Sequence, residues 1–219
     1  MFRARPFVCS LVSAAFFPLT AAAAETPAVA ELPAPKVGDV WKFRKIDLWN
    51  NSELDTYERE LVEIQPDHLV YRGKSAPNAK AKTFYHGRSL AICRKMRDSD
   101  EENCTGALAF PLRGGNKNSY AKRPWNKGDG HSSADCEVKG IESVTVPAGT
   151  FDAFRVDCDG TWQRVFDITP TTGVKGRFEE RLWYSPKVGH YVKFTYISYR
   201  PEGGAYTREQ TELVEFVPK

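Results

Sequence analysis

Two β-rich runs, Cys136 to Val146 and Phe151 to Trp162, meet across Pro147-Ala148-Gly149-Thr150, and no other part of the chain limits the fold as strongly. Pro147 presets φ for the second residue of a type I turn. Gly149 takes the left-handed position that follows, so the runs join as antiparallel strands through a bulge. Along the second run Phe154, Val156 and Cys158 share one face while Arg155, Asp157 and Asp159 share the other. That alternation is the period of a strand with one buried side.

The same device recurs toward the C-terminus. Glu179 to Tyr184 and Tyr191 to Tyr199 flank Ser185-Pro186-Lys187-Val188-Gly189, and Pro201-Glu202-Gly203-Gly204 then reverses the chain into Tyr206 to Val217. Nearer the N-terminus, Trp41 and Phe43 stand two apart, with Ile46 and Leu48 on one face further on. Asn50-Asn51-Ser52 turns the chain into Leu54 to Ile64, and Gln65-Pro66-Asp67 turns it again into His68 to Arg72. Thr83 to Lys95 is a further β-rich stretch, followed by a charged loop from Arg97 to Asn103. Residues 114–133, rich in Gly, Asn, Lys and Ser with Tyr120 and Trp125 isolated among them, read as one long exposed loop. With turn signals this frequent and no helix of normal length, the fold class is all-β: a hairpin-connected antiparallel meander forming a barrel or strongly curved sheet. The strand order is not readable.

At the N-terminus Arg3 and Arg5 precede an apolar run from Phe7 to Leu19, and Ala22-Ala23-Ala24 offers small residues to a signal peptidase. Residues 1–24 therefore read as a secretory signal, and the expected location is the periplasm. The run is too short to cross a hydrocarbon core of about 30 Å as a helix, so no stable membrane span is expected. Residues 25–35 read as a Pro/Ala-rich linker and residues 36–219 as a single antiparallel β domain. Loss of the signal leaves 29 basic against 28 acidic residues, without a basic stripe, which argues against nucleic acid as a partner. It also leaves Cys93, Cys104, Cys136 and Cys158, an even number, as expected of structural disulfides in an oxidising compartment. Among three connectivities, Cys93 with Cys104 and Cys136 with Cys158 are preferred because each pair flanks a local turn. If the turn centres near residue 147, Cys136 and Cys158 stand opposite each other.

Three stretches together resemble a family of exported bacterial domains of unknown function, some called TapB-like. They are Val144-Thr145-Val146-Pro147-Ala148-Gly149-Thr150-Phe151-Asp152-Ala153-Phe154-Arg155-Val156, then Trp183-Tyr184-Ser185-Pro186-Lys187-Val188-Gly189, then Glu212-Leu213-Val214-Glu215-Phe216. Val37-Gly38-Asp39-Val40-Trp41 is similar to that family's opening strand. The resemblance implies a fold and carries no catalytic assignment.

No catalytic motif is present: there is no Gly-x-Ser-x-Gly elbow, phosphate-binding loop or His-Glu-x-x-His. His68, His86, His131 and His190 are scattered and read as surface or satisfied side chains. Glu179 and Glu180 point to opposite faces of a strand, so they do not make a carboxylate pair. The acidic run Asp98 to Glu102 departs from the EF-hand ligand order. No enzyme activity, cofactor or metal is therefore expected. The function expected is that of a binding protein holding an apolar ligand, a lipid or acyl group, on a concave face. The aromatic side chains Trp41, Phe43, Phe154, Trp183 and Phe194 are taken either to line that site or to fill the core. The alternative is an envelope or secretion-associated protein that contacts another protein through a sheet edge or the 114–133 loop.

Overall fold

The structure is a computed structural model that describes residues 28–75, 79–95, 102–125, 130–164 and 174–219. Residues 1–24, read from the sequence as a secretory signal, and part of the acidic run lie outside the described residues. The N-terminal half contains β1 (Val40–Asp47), β2 (Ser52–Ile64), β3 (His68–Lys74), β4 (Lys82–Gly87), β5 (Ile92–Lys95) and β6 (Glu102–Thr105). The second half contains β7 (Lys117–Trp125), β8 (Gly130–Val146), β9 (Gly149–Arg164), β10 (Val174–Ser185), β11 (His190–Tyr199) and β12 (Ala205–Val217).

All twelve form one sheet in the order β6-β5-β4-β3-β2-β1-β12-β11-β10-β9-β8-β7. Every bonded neighbour is antiparallel and, apart from β1 with β12, adjacent in sequence. The sheet is thus an up-and-down barrel, nearly closed, with its seam between β6 and β7. Across the seam Arg94 Nη1 of β5 donates to the Pro124 carbonyl of β7 at 3.3 Å.

The turns form where their chemistry demands. Val146 pairs with Gly149 across Pro147-Ala148, and Gly149 adopts φ 130°, a conformation that a Cβ disfavours. Gly189, at φ 61°, closes the β10–β11 turn in the same way. The expected cross-strand pairing also holds, since Cys136 lies directly opposite Cys158 with Cα atoms 4.0 Å apart. The second disulfide joins Cys93 to Cys104 across β5 and β6.

Two expectations differ from the structure. Residues 114–133 are not one exposed loop, because Lys117–Trp125 is β7, a wall strand whose Tyr120 is buried, and β8 starts at Gly130. The linker is not free along its described length: Ala30 is 2% exposed and bridges Leu112 through hydrogen bonds of 3.0 and 2.8 Å. The β-rich stretch Thr83 to Lys95 is strand as expected, in two pieces, β4 and β5, separated by a turn at Gly87–Ala91.

These departures build one end of the barrel. Residues 28–36 and the connection from Gly106 to Asn116 lie together across it, placing Ala30, Leu108 and Leu112 in the core. Beneath them pack Trp41, Phe43, Leu61, Leu69, Tyr71 and Leu213. Trp41 Nε1 donates to the Val188 carbonyl at 2.9 Å, fixing β1 against the β10–β11 turn. The Asp39 carboxylate accepts from the backbone N–H groups of Lys36 and Lys219, both at 2.8 Å, and so ties the segment before β1 to the segment after β12. Burying each large side chain in this end contributes about 1.5–3 kcal/mol. The opposite end is not filled.

Candidate functional site

From that packed end the lumen opens into a cavity of about 840 Å³ that reaches the surface beside Arg200, Glu202 and Tyr206. Its size is within the range of about 300–1,000 Å³ typical of small-molecule sites. Leu90, Leu108, Trp162, Val174, Leu182 and Phe194 supply most of its apolar wall. Ser132, Thr105 and Ser198 add isolated hydroxyls.

Glycines set the width of the lumen. A Cβ on Gly160 would lie 2.4 Å from the Phe178 ring, one on Gly176 2.6 Å from Trp162, and one on Gly130 2.2 Å from Trp125. A Cβ on Gly73 would lie 2.5 Å from the Phe84 ring. At Gly73 and Gly130 the ring occupies the space that a side chain would take, and at Gly160 and Gly176 the Ser133 and Tyr199 carbonyls share it with the ring, at 2.4 and 2.2 Å from such a Cβ.

Charge inside the barrel is unevenly distributed. Glu180, 3% exposed, is held by Arg123 and by the Tyr120 hydroxyl, which donates to its Oε2 at 3.1 Å. The Arg123 guanidinium also lies 4.4 Å from the Tyr120 ring centre. This group is closed on itself. Burial pushes the Tyr196 hydroxyl up to about 12, and the Glu180 charge adds to the effect. Deeper in, Arg59 projects from β2 among Tyr57, Phe84, Phe43 and Tyr191.

Two histidines lie beside this inner end. His86 is 4% exposed and its Nδ1 has no hydrogen-bond partner; burial, then the Arg59 charge, holds its pKa well below the usual range. His190 is fully buried against Trp41, Phe43 and Tyr191, and neither ring nitrogen has a hydrogen-bond partner. Burial, then Arg59, lowers its pKa as well, and the nearby Tyr191 backbone offsets little of this. The expectation of satisfied histidines therefore fails at both positions. His131 is partly exposed on β8.

The five aromatic residues singled out in the sequence separate into three groups. Trp41, Phe43 and Phe154 are buried in the packed interior, whereas Phe194 forms cavity wall. Trp183 projects from the side of β10 opposite Leu182 and Tyr184, where Arg155 and Lys193 lie over its ring and Glu142 accepts from its Nε1. Parity along β10 decides this, because the interior residues are Phe178, Glu180, Leu182 and Tyr184. The same parity separates Glu179 from Glu180, as expected. Sequence reasoning missed Arg59 and Arg123. For Arg59 a signal existed: Tyr57 and Leu61 flank it at strand spacing, which places a cation on an apolar face.

On the outer face, His68, Glu102, Cys93 and Cys104 come together, with His68 Nε2 3.1 Å from Glu102 Oε2 and 3.6 Å from Cys104 Sγ. This is the arrangement of a metal centre in outline. Both sulfurs are committed to the Cys93–Cys104 disulfide, however, and a disulfide does not supply the thiolates that bind a metal.

No known family profile matches the chain, and no curated protein matches it. Among solved structures, it is similar to a candidate lipoprotein of Parabacteroides distasonis ATCC 8503, at 16% identity and a TM-score of 0.48, covering 86% of this chain and 99% of that one. It is also similar to a candidate exported protein with a YmcC-like fold from Bacteroides fragilis NCTC 9343, at 12% identity and a TM-score of 0.46, with the same coverages of 86% and 99%. The two disulfides fit an oxidising, extracytoplasmic compartment. Among the described residues no helix is long and apolar enough to cross a membrane.

Proposed function

We propose that this protein is a non-enzymatic periplasmic barrel that holds an apolar ligand, a lipid or acyl group, inside its lumen, and that it belongs with the exported TapB-like domains. The observation that carries this reading is the cavity of about 840 Å³, walled largely by carbon and open at one end. A lumen of this kind encloses an alkyl chain and removes it from water, at about 25 cal/mol per Å² of apolar surface buried. The internal polar groups support binding over catalysis. Glu180 is neutralised by Arg123, and neither buried histidine contacts a nucleophile or an orienting carboxylate among the described residues.

Native mass spectrometry of protein purified from periplasm tests the reading. A co-purified adduct of lipid mass, removed by organic extraction and replaced by a fluorescent naphthylamine probe, is the expected result. Folded protein that carries no adduct and takes up no probe would overturn it. A protein partner is the second reading, favoured by the backbone edges that β6 and β7 leave unpaired at the seam. A stoichiometric complex in the same spectrum would support that instead.

A further inference from the structure

The inner end of the cavity also speaks to the charge of the ligand, an inference that rests on the lumenal binding proposed above. The Arg59 guanidinium lies 5.0 Å from the Tyr57 ring centre, 5.3 Å from Phe84, 5.7 Å from Phe43 and 6.0 Å from Tyr191. Among the described residues the ion pairs are all made by other cations, and the one carboxylate deep in the lumen, Glu180, belongs to Arg123. Aromatic faces attract a desolvated cation but do not neutralise it, so the guanidinium retains its attraction for an anion. Beside it lie two further groups without partners, His86 Nδ1 and the Tyr71 hydroxyl, both fully shielded from solvent. Arg94 adds positive charge to the same cavity wall. A cation whose hydrogen-bonding neighbour is the Tyr191 hydroxyl and not a carboxylate thus stands beside a free imidazole nitrogen where the apolar wall ends, with the unpartnered Tyr71 hydroxyl packed behind them.

We infer that the ligand is an amphiphile with an anionic head, a carboxylate or a phosphate. Arg59, with His86 beside it, holds the head inward while the chain runs along Leu182, Phe194 and Trp162 toward the mouth. A charge-assisted hydrogen bond to an anion in this water-poor setting is stronger than a neutral one, so the head should dominate selection among ligands of equal chain length.

The test compares dodecanoate, dodecyl phosphate and dodecan-1-ol by calorimetric titration into delipidated protein and into the R59Q and R59K variants. The wild type should bind at least one of the two anions about tenfold or more tightly than the alcohol, the scale of one charge-assisted hydrogen bond. The better anion identifies the head. R59Q should abolish the difference between anion and alcohol, whereas R59K should retain most of it. Equal binding of acid, phosphate and alcohol by the wild type would overturn the charge assignment and leave lumenal binding intact. Failure of all three to bind would overturn both. The wild-type comparison stands even if R59Q does not fold, and a folded R59Q that keeps the difference would also refute the assignment.

Discussion

Acidification should destabilise this barrel well above the pH at which carboxylates protonate, because it buries two neutral histidines. His86 and His190 are both shielded from solvent, and both have pKa values held well below 6.5 by burial and then by Arg59. Arg94 and His190 reinforce the effect at His86. In the unfolded chain each imidazole titrates near the ordinary value of 6.5. Above that pH neither state binds the proton. As pH falls below it the unfolded chain binds protons that the native state refuses, so stability declines with decreasing pH. Between pH 7.5 and 5.5 each site should remove about 1.4 kcal/mol, and the pair just under ~3 kcal/mol. For a domain of this size that lowers Tm by about 6–12 °C. Glu137, whose pKa is lowered by Lys139 from 4.5, begins to act only below this window. Thermal melts by tryptophan fluorescence at pH 7.5, 6.5 and 5.5 measure the effect. In H190F the aromatic packing is retained and one titrating ring is removed, so the acid loss should halve while stability at pH 7.5 stays level or rises. A wild type whose Tm does not move over this range, or an H190F variant that keeps the full acid loss, would refute the reasoning.

Two further outcomes follow from the interior. Replacing Glu180 by alanine leaves Arg123 charged and unpaired in the wall and should destabilise the fold by about 3–5 kcal/mol in urea titrations, whereas replacing both residues by leucine or methionine should recover most of that loss. Converting Cys136 and Cys158 to serine opens a bridge of sequence separation 22 and should lower stability by about 3 kcal/mol, with non-reducing peptide maps of the wild type showing only the 93–104 and 136–158 linkages.

The parts of this fold that were legible are those specified within a dozen residues. The hairpin around Pro147 and Ala148 was readable because turn chemistry and the alternation of Phe154, Val156 and Cys158 agree with each other. The opposition of Cys136 and Cys158 then follows from counting. Strand β7 was not readable for the converse reason. Its register shifts between Tyr120 and Arg123, with Lys122 at φ 53°, so the alternation breaks just where a period of two would reveal it. It also faces a lumen that contains a buried ion pair, so its inward residues are not uniformly apolar. The partner of Arg123, Glu180, lies 57 residues away, and nothing local announces the pairing. The same holds at the closed end, where Ala30 meets Leu112 only because the barrel brings both across it. Arg59 was hidden differently: in Tyr57-Glu58-Arg59-Glu60-Leu61 it looks like one member of a solvated charge run, and only strand parity separates it from the two glutamates.

The glycines of the wall have a consequence for how such a barrel changes its preferences over time. Phe84, Trp125, Trp162 and Phe178 lie flat because Gly73, Gly130, Gly176 and Gly160 leave them room. At Gly73 and Gly130 an added methyl meets a ring first, Phe84 or Trp125, and would tip it toward the barrel axis, acting on the bore as an iris acts on an aperture; at Gly160 and Gly176 it would also meet the Ser133 and Tyr199 carbonyls, so those two positions hold neighbouring backbone close instead. If the lumen holds the ligand proposed above, a change at Gly130 would adjust the bore through Trp125 apart from Arg59, whereas a change at Gly73 would act through Phe84 on the Arg59 site itself.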